Sequence, residues 1–208
     1  MRNSRLEFYS RGVLQSGGTR EAIVQAAVAC AAAGDWEGTS LQAVRQRAGL
    51  SNGSLFHYFP TRQDLTTAVV AAALQDHHRV LLAELSADAE AGVTAVVRRH
   101  LQWVQDNAAL ARLLLGAPAA LLRAAVPETA LEDNRRFFTA VSAWLGEHGW
   151  TRTPQLRVVV ALWIGPAQEC SRLWLAEPDA WPLLSVGDDL AAGAWAALQP
   201  LLRTGNRP

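Results

Sequence analysis

Lysine is missing from this chain altogether: all nineteen of its cations are arginine, balanced by nineteen acids for no net charge. With so much alanine beside them, that absence fits GC-rich coding better than selection for bidentate contacts. Cysteine is nearly absent too. Cys30 and Cys170 both fall inside apolar helical patterns; two cysteines in a chain of 208 residues make no disulfide framework and read as buried free thiols. No apolar signal-peptide segment precedes Arg20, and no run is long and uncharged enough to cross a bilayer, so the expectation is a cytoplasmic protein with no membrane partner. No strand pattern is evident. A glycine-rich phosphate loop and paired catalytic carboxylates are lacking as well. His77 and His78 are adjacent and point to different helix faces, with no histidine pair four apart, so they are expected on a solvated surface and not at a metal. Cys170, next to Glu169, has no evident basic partner to make it a thiolate. These absences lead to an all-α fold with no active site, no metal and no cofactor.

What is present centres on Thr39–Arg62, TSLQAVRQRAGLSNGSLFHYFPTR, which reads as two short helices around a tight turn. Leu41, Val44 and Ala48 give the first helix an apolar face, and Thr39 with Gln42 makes a capping-box pattern at its start. Gly49 ends it, since glycine enters a left-handed turn at no steric cost. Ser51 is the expected N-cap of the second helix, SNGSLFHYF, which Pro60 stops. Leu55 and Phe59 face inward; the other side carries Asn52, Gly53, Ser54, Phe56, His57 and Tyr58. Between Gly38 and Gln63 there is no Asp or Glu, while Arg45, Arg47 and Arg62 are present, the balance a polyanion requires. Residues 1–65 hold seven arginines against five acids and residues 66–208 twelve against fourteen, which places any nucleic-acid contact in the front. A plain helical hairpin in a core is the competing account, and the acid-free window and polar helix start weigh against it.

Elsewhere the spacing predicts helices throughout. Residues 1–18 are expected to be a loose arm whose three arginines could reach a minor groove. A helix follows from about Thr19 to Ala33. Thr61 and Asp64 form a capping box that opens a long helix to about Leu85. Ser86–Gly92 reads as a linker, Val93–Asn107 and Ala108–Gly116 as helices, and residues 117–126 as a poorly specified one. Pro127 opens the next helix, which carries Leu131 and Phe138. Thr153-Pro154 is expected to cap a helix with a seam at Leu156, Val160, Trp163, Ala167, Cys170 and Trp174, bent at Gly165-Pro166. Ser185 and Asp188 open the last helix, to Leu202. The domains expected are an arm (1–18), a helix-turn-helix domain (19–65) and a helical second domain (66–208).

The stretch TREAIVQAA (Thr19–Ala27) and, above all, AGLSNGSLFHYFPTRQDL closely resemble the N-terminal DNA-binding domain of the tetracycline-repressor (TetR) family of bacterial regulators, over roughly the first third of the chain. The resemblance implies a ligand-responsive, homodimeric DNA-binding regulator, most often a repressor, which holds an inverted-repeat operator in double-stranded DNA and releases it when a small molecule binds. It implies DNA contacts from Thr39, Ser51, Asn52, Gly53, Ser54, Phe56, His57, Tyr58 and Arg62. Three positions depart from the family pattern. Arg45 stands where a small residue is usual, marking either shifted packing or an extra phosphate contact; Arg62 stands for the usual Lys; and Phe56 for a frequent Tyr, so it can offer packing or a thymine-methyl contact but no hydroxyl.

The resemblance also places dimerisation in the two C-terminal helices, whose apolar seams alternatively fill the protomer's own core. Seven of the eight tryptophans lie beyond residue 100 and suit a core or an apolar pocket for an aromatic or apolar effector. Trp103, Leu114, Phe138 and Val141 are candidate lining residues, with Trp144, Leu145 and Trp163. His100, Asn134 and Gln168 are candidate polar groups to orient the ligand. The alternatives are an activator or orphan regulator without a ligand, and a small helical enzyme or carrier using the Trp-rich cavity.

Overall fold

The computed structural model describes residues 18–34, 36–116 and 128–202, without the side chains of residues 52 and 128–131. The expected N-terminal arm, the segment 117–126, Pro127 and the side chain of Leu131 lie outside that description. Among the described residues the fold is all-α, with no strand. The helices are α1 (Thr19–Ala33), α2 (Leu41–Ala48), α3 (Asn52–Tyr58), α4 (Arg62–Leu82), α5 (Ala89–Asp106), α6 (Ala108–Gly116), α7 (Glu128–Glu147), α8 (Leu156–Ala176) and α9 (Gly187–Leu198), with 3-10 turns at Leu183–Val186 and Gln199–Leu201. Contacts divide the described chain into two compact units: residues up to 74 with 109–116, and residues 75–108 with 128–202. The break between these units falls within α4, between residues 74 and 75.

The first unit is built on α1. Its buried stripe of Ile23, Val24, Ala27 and Ala31 follows helical spacing, and α2 packs against it through the fully buried Val44. Leu65 and Val69, four apart on α4, are equally buried. Thr61 and Asp64 form the expected box: Asp64 accepts from the Thr61 N–H at 3.0 Å, and Thr61 Oγ1 accepts from the Asp64 N–H at 3.1 Å.

The second unit is centred on α5, against which α8 and α9 pack. Val93, Val97, Leu101 and Val104 form its buried seam. Trp144 of α7 lies nearly parallel to Trp163 of α8, ring centroids 5.5 Å apart at 28°. The Trp144 ring also explains Gly92, where an added Cβ would sit 2.6 Å from its Cζ2. Each of these indoles has a partner: Trp144 Nε1 donates to the Ser86 carbonyl at 2.7 Å and Trp163 Nε1 to that of Val93 at 3.0 Å.

Several expectations need correction. Ser40, not Thr39, caps α2, its side chain accepting from the Ala43 N–H at 3.1 Å. The supposed linker Ser86–Gly92 contains the start of α5, because Asp88 accepts from the Ala91 N–H at 2.7 Å and opens the helix there. Thr153 does not cap α8, which begins at Leu156 after Gln155 and runs on through Pro166 to Ala176. Ser185 lies in a 3-10 turn, its hydroxyl donating to the Pro182 carbonyl, and α9 starts at Gly187. Trp163, Ala167 and Trp174 of the expected seam fill the protomer's own core; the large apolar residues exposed on α8 are Val158, Leu162 and Leu173. His77 is buried instead of solvated, and His78 is half-buried.

Candidate nucleic-acid interface

The turn between α2 and α3 forms as its residues dictate. Gly49 has φ 68°, the left-handed region, and its N–H donates to the Gln46 carbonyl at 3.2 Å. The Leu50 N–H donates to the Arg45 carbonyl at 3.2 Å, and Arg45 returns a bond from its guanidinium to the Leu50 carbonyl at 3.2 Å. Arg45 therefore clips the turn shut, which accounts for an arginine at a tight contact; its Nε–H is buried without a hydrogen-bond partner. Ser51 caps α3 by accepting from the Ser54 N–H at 3.3 Å, and the two hydroxyls lie 3.0 Å apart.

Helix α3 is anchored by two residues four apart. Leu55 and Phe59 are buried, and the Arg20 guanidinium covers the Phe59 ring at 5.1 Å from its centroid. Everything between them turns outward. Phe56 is 50% exposed and Tyr58 39%, so neither serves the core beneath the helix. His57 is exposed beside Tyr58, ring centroids 5.0 Å apart edge-on. Gly53 is exposed, and a Cβ added there would meet only Ser51 Oγ, at 4.0 Å, so no neighbour in the chain demands glycine. Beside α3 an open cleft of about 350 Å³ is lined by Leu41, Gln42, Arg45, Leu55 and Phe56. The surface as a whole offers hydroxyls, an imidazole and aromatic faces with no carboxylate among them.

Two members of the expected set sit differently. Thr39 is half-buried, and its carbonyl is taken by Arg62. Arg62, expected at a phosphate, directs its guanidinium at the turn before α2: Nη1 donates to the Thr39 carbonyl at 2.6 Å, and Nη2 donates to the carbonyls of Glu37, at 3.2 Å, and Trp36. The physical reason is local supply: three carbonyls converge where the cation stands. No sequence pattern short of the folded turn announces it.

The residues nominated for a ligand separate in the same way. Trp103, Val141, Trp144, Leu145 and Trp163 are buried core, and Leu114 is buried but groups with the other unit. Asn134, Phe138 and Gln168 are half-buried. His100, expected to orient a ligand, is fully buried, and both ring nitrogens have partners: His77 Nε2 at 2.9 Å and Ser171 Oγ at 3.2 Å. The order Ser171–His100–His77 superficially suggests a nucleophile, a base and its orienting group. Ser171 is sealed from solvent, however, and its hydroxyl donates to the Ala167 carbonyl at 2.8 Å, leaving no nucleophile to present. His78, expected on a solvated surface, instead lies flat on Phe137 at 3.7 Å and 8°, with burial pushing its pKa down to about 4. Sequence reading missed Gln75, which donates to Asp133 at 2.9 Å. Among the described residues no three His, Cys, Asp or Glu gather as a metal site, and no helix is long and apolar enough to cross a membrane.

Residues 23–69 match the family profile of bacterial regulatory proteins, tetR family. The fold is that of solved TetR-family regulators. One from Streptomyces coelicolor is 21% identical, with 88% of this chain and 81% of that one covered at a TM-score of 0.66. The fatty acid degradation regulator FadR from Bacillus halodurans is 15% identical, with 93% and 100% covered at 0.62. A TetR-family regulator from Mesorhizobium loti is 16% identical, with 88% and 96% covered at 0.64. No curated protein matches the chain significantly. The N-terminal segment thus matches the tetR-family profile, and the described chain is similar in fold to solved TetR-family regulators.

Proposed function

We propose that this regulator binds double-stranded DNA as a homodimer and works as a repressor, leaving an inverted-repeat operator when an apolar or aromatic small molecule binds its second unit. The observation that carries the DNA-binding reading is the outward face of α3: Phe56, His57 and Tyr58 stand in solvent on a helix whose other side is locked by Leu55 and Phe59. In this reading Asn52, Gly53 and Ser54 meet base edges, His57 and Tyr58 donate to phosphates with Ser51 at the cap, and Phe56 packs on a thymine methyl. Arg45 contributes by holding the turn. One such helix reads few base pairs, so two copies about 34–36 Å apart, one turn of the duplex, supply the specificity. Supporting a dimer, Val158, Leu162 and Leu173 leave α8 with an apolar outer stripe, and α9, which packs on α8, exposes the small residues Ala192, Gly193 and Ala196.

Supporting an effector site is the aromatic group of His78, Phe137 and Phe138, with Gln75 and Asp133 hydrogen-bonded and the half-buried Asn134 next in sequence. An effector acts only through its differential affinity for two states, typically ~1–3 kcal/mol or about 5–150-fold in DNA affinity, and DNA must weaken effector binding by the same factor. In this reading the protein works in the cytoplasm, beside the DNA it binds. Selection of bound duplexes from a random pool tests the reading: recovery of an inverted repeat supports it, and no enrichment at low salt overturns it.

A further inference from the structure

We infer that Arg62 is a positioning residue for DNA binding: it fixes the turn that launches α2 and makes no contact with the duplex. The inference rests on the reading of α2 and α3 as the DNA-binding element.

Arg62 is the first residue of α4, where the helix dipole disfavours a cation, so its location there needs acceptors of its own. The fold supplies them in one place. The guanidinium donates to the carbonyls of Trp36, Glu37 and Thr39, the residues that lead directly to Ser40, the cap of α2. Its carbon also lies 5.2 Å from the centroid of the Trp36 ring, which is buried. Trp36 closes the circuit: its Nε1 donates to Thr66 Oγ1 at 3.0 Å, and that hydroxyl donates to the carbonyl of Arg62 itself at 2.9 Å. Of the five N–H donors on a guanidinium, three therefore serve the turn. Bonds from a charged donor are among the stronger ones, and a phosphate would compete against all three together. Lysine, with a point charge on a flexible stem, lacks the planar fork that spans these carbonyls while lying on an indole.

The two roles leave different marks on salt dependence. A cation that meets a phosphate contributes about one to the slope of log K against log salt. A clamp alters only the fraction of molecules whose turn is set for binding, which multiplies Kd by one factor at every salt concentration.

The test measures Kd for the selected duplex over a salt series, using the full chain, Arg62→Gln and Arg62→Lys, each shown by circular dichroism to be folded at the assay temperature. The expected result is parallel lines, with both variants weaker by roughly tenfold at every salt. A slope reduced by about one per half-site in Arg62→Gln, with Arg62→Lys behaving as the parent, overturns the inference. Trp36→Leu, altered at a buried side chain, is expected to reproduce the loss, and the double variant Trp36→Leu/Arg62→Gln to be no worse than the poorer single one; additive losses count against the clamp. Should the parent bind no duplex at low salt, the DNA reading fails separately. The clamp is then judged in the free protein, where Arg62→Gln speeds amide exchange in residues 37–41 if it holds and leaves it unchanged if it does not.

Discussion

Nε2 of His77 lies 2.9 Å from Nδ1 of His100, inside the second unit and out of reach of solvent. The proton positions follow from the end of the chain of bonds. The Ser171 hydroxyl donates to the Ala167 carbonyl, so it accepts from His100 Nε2–H; His100 Nδ1 then has only a lone pair, and His77 Nε2–H donates to it. That arrangement holds with both rings neutral.

Burial drives the pKa of His77 well below the usual histidine range, helped by the neighbouring His100 and His78, and drives those of His78 and His100 down to about 4. The folded state thus refuses protons that the unfolded chain accepts below ~6.5. The contribution is fully present above that pH and is lost progressively as pH falls towards 4, on the order of 3 kcal/mol for His100 alone. Urea midpoints measured from pH 7.5 to about 4.5 should fall steadily on the acid side. Replacing His100 by Gln should flatten that limb while costing ~1–3 kcal/mol at neutral pH, and a pH-independent midpoint in the parent would refute the argument.

Gly92→Ala tests the close approach to Trp144. In an open helix the change would gain up to about 1 kcal/mol, but the new methyl would stand 2.6 Å from the indole and 3.3 Å from the backbone nitrogen of Ser86. Overpacking of this kind costs ~1–3 kcal/mol, so the net expectation is a lower thermal midpoint. An unchanged or raised midpoint would show that the indole can move aside.

Gly53→Ala has the opposite sign in the free protein. Nothing in the chain crowds that position, so alanine should stabilise α3 by up to about 1 kcal/mol. If a duplex approaches there, affinity should nevertheless drop severalfold, because the methyl holds the backbone off the groove. Higher stability with undiminished binding would move the DNA surface away from the start of α3.

Leu173 is 58% exposed on α8, the natural place to break a dimer without disturbing the core. Leu173→Glu should sediment as a monomer at concentrations where the parent is dimeric, with a similar far-UV spectrum. A parent chain already monomeric at micromolar concentration would remove the dimer from the proposal.

How much of this was legible depended on how far along the chain each feature reaches. Gly49, the Ser51 cap and the Leu55–Phe59 pair are settled by residues within one turn of each other, and they appear where the sequence places them. Sequence pattern places the start of α2 one residue early, because Thr39 and Ser40 are both competent caps and only the fold selects between them. Ser86–Gly92 looked like a linker since small residues suggest a loop; here Gly92 is small because Trp144, far along the chain, needs the room. The Arg62 clamp and the His77–His100 pair join residues more than twenty positions apart, and no local pattern encodes such a meeting. The C-terminal seams were recognised as apolar, yet spacing cannot say whether a stripe faces its own core or another copy.

Two indoles held 5.5 Å apart and nearly parallel, as Trp144 and Trp163 are, couple their excited states. The pair should therefore give this protein an intrinsic near-ultraviolet signature that belongs to the second unit alone. Loss of that signature on heating, or on meeting an effector, would report loosening of the second unit.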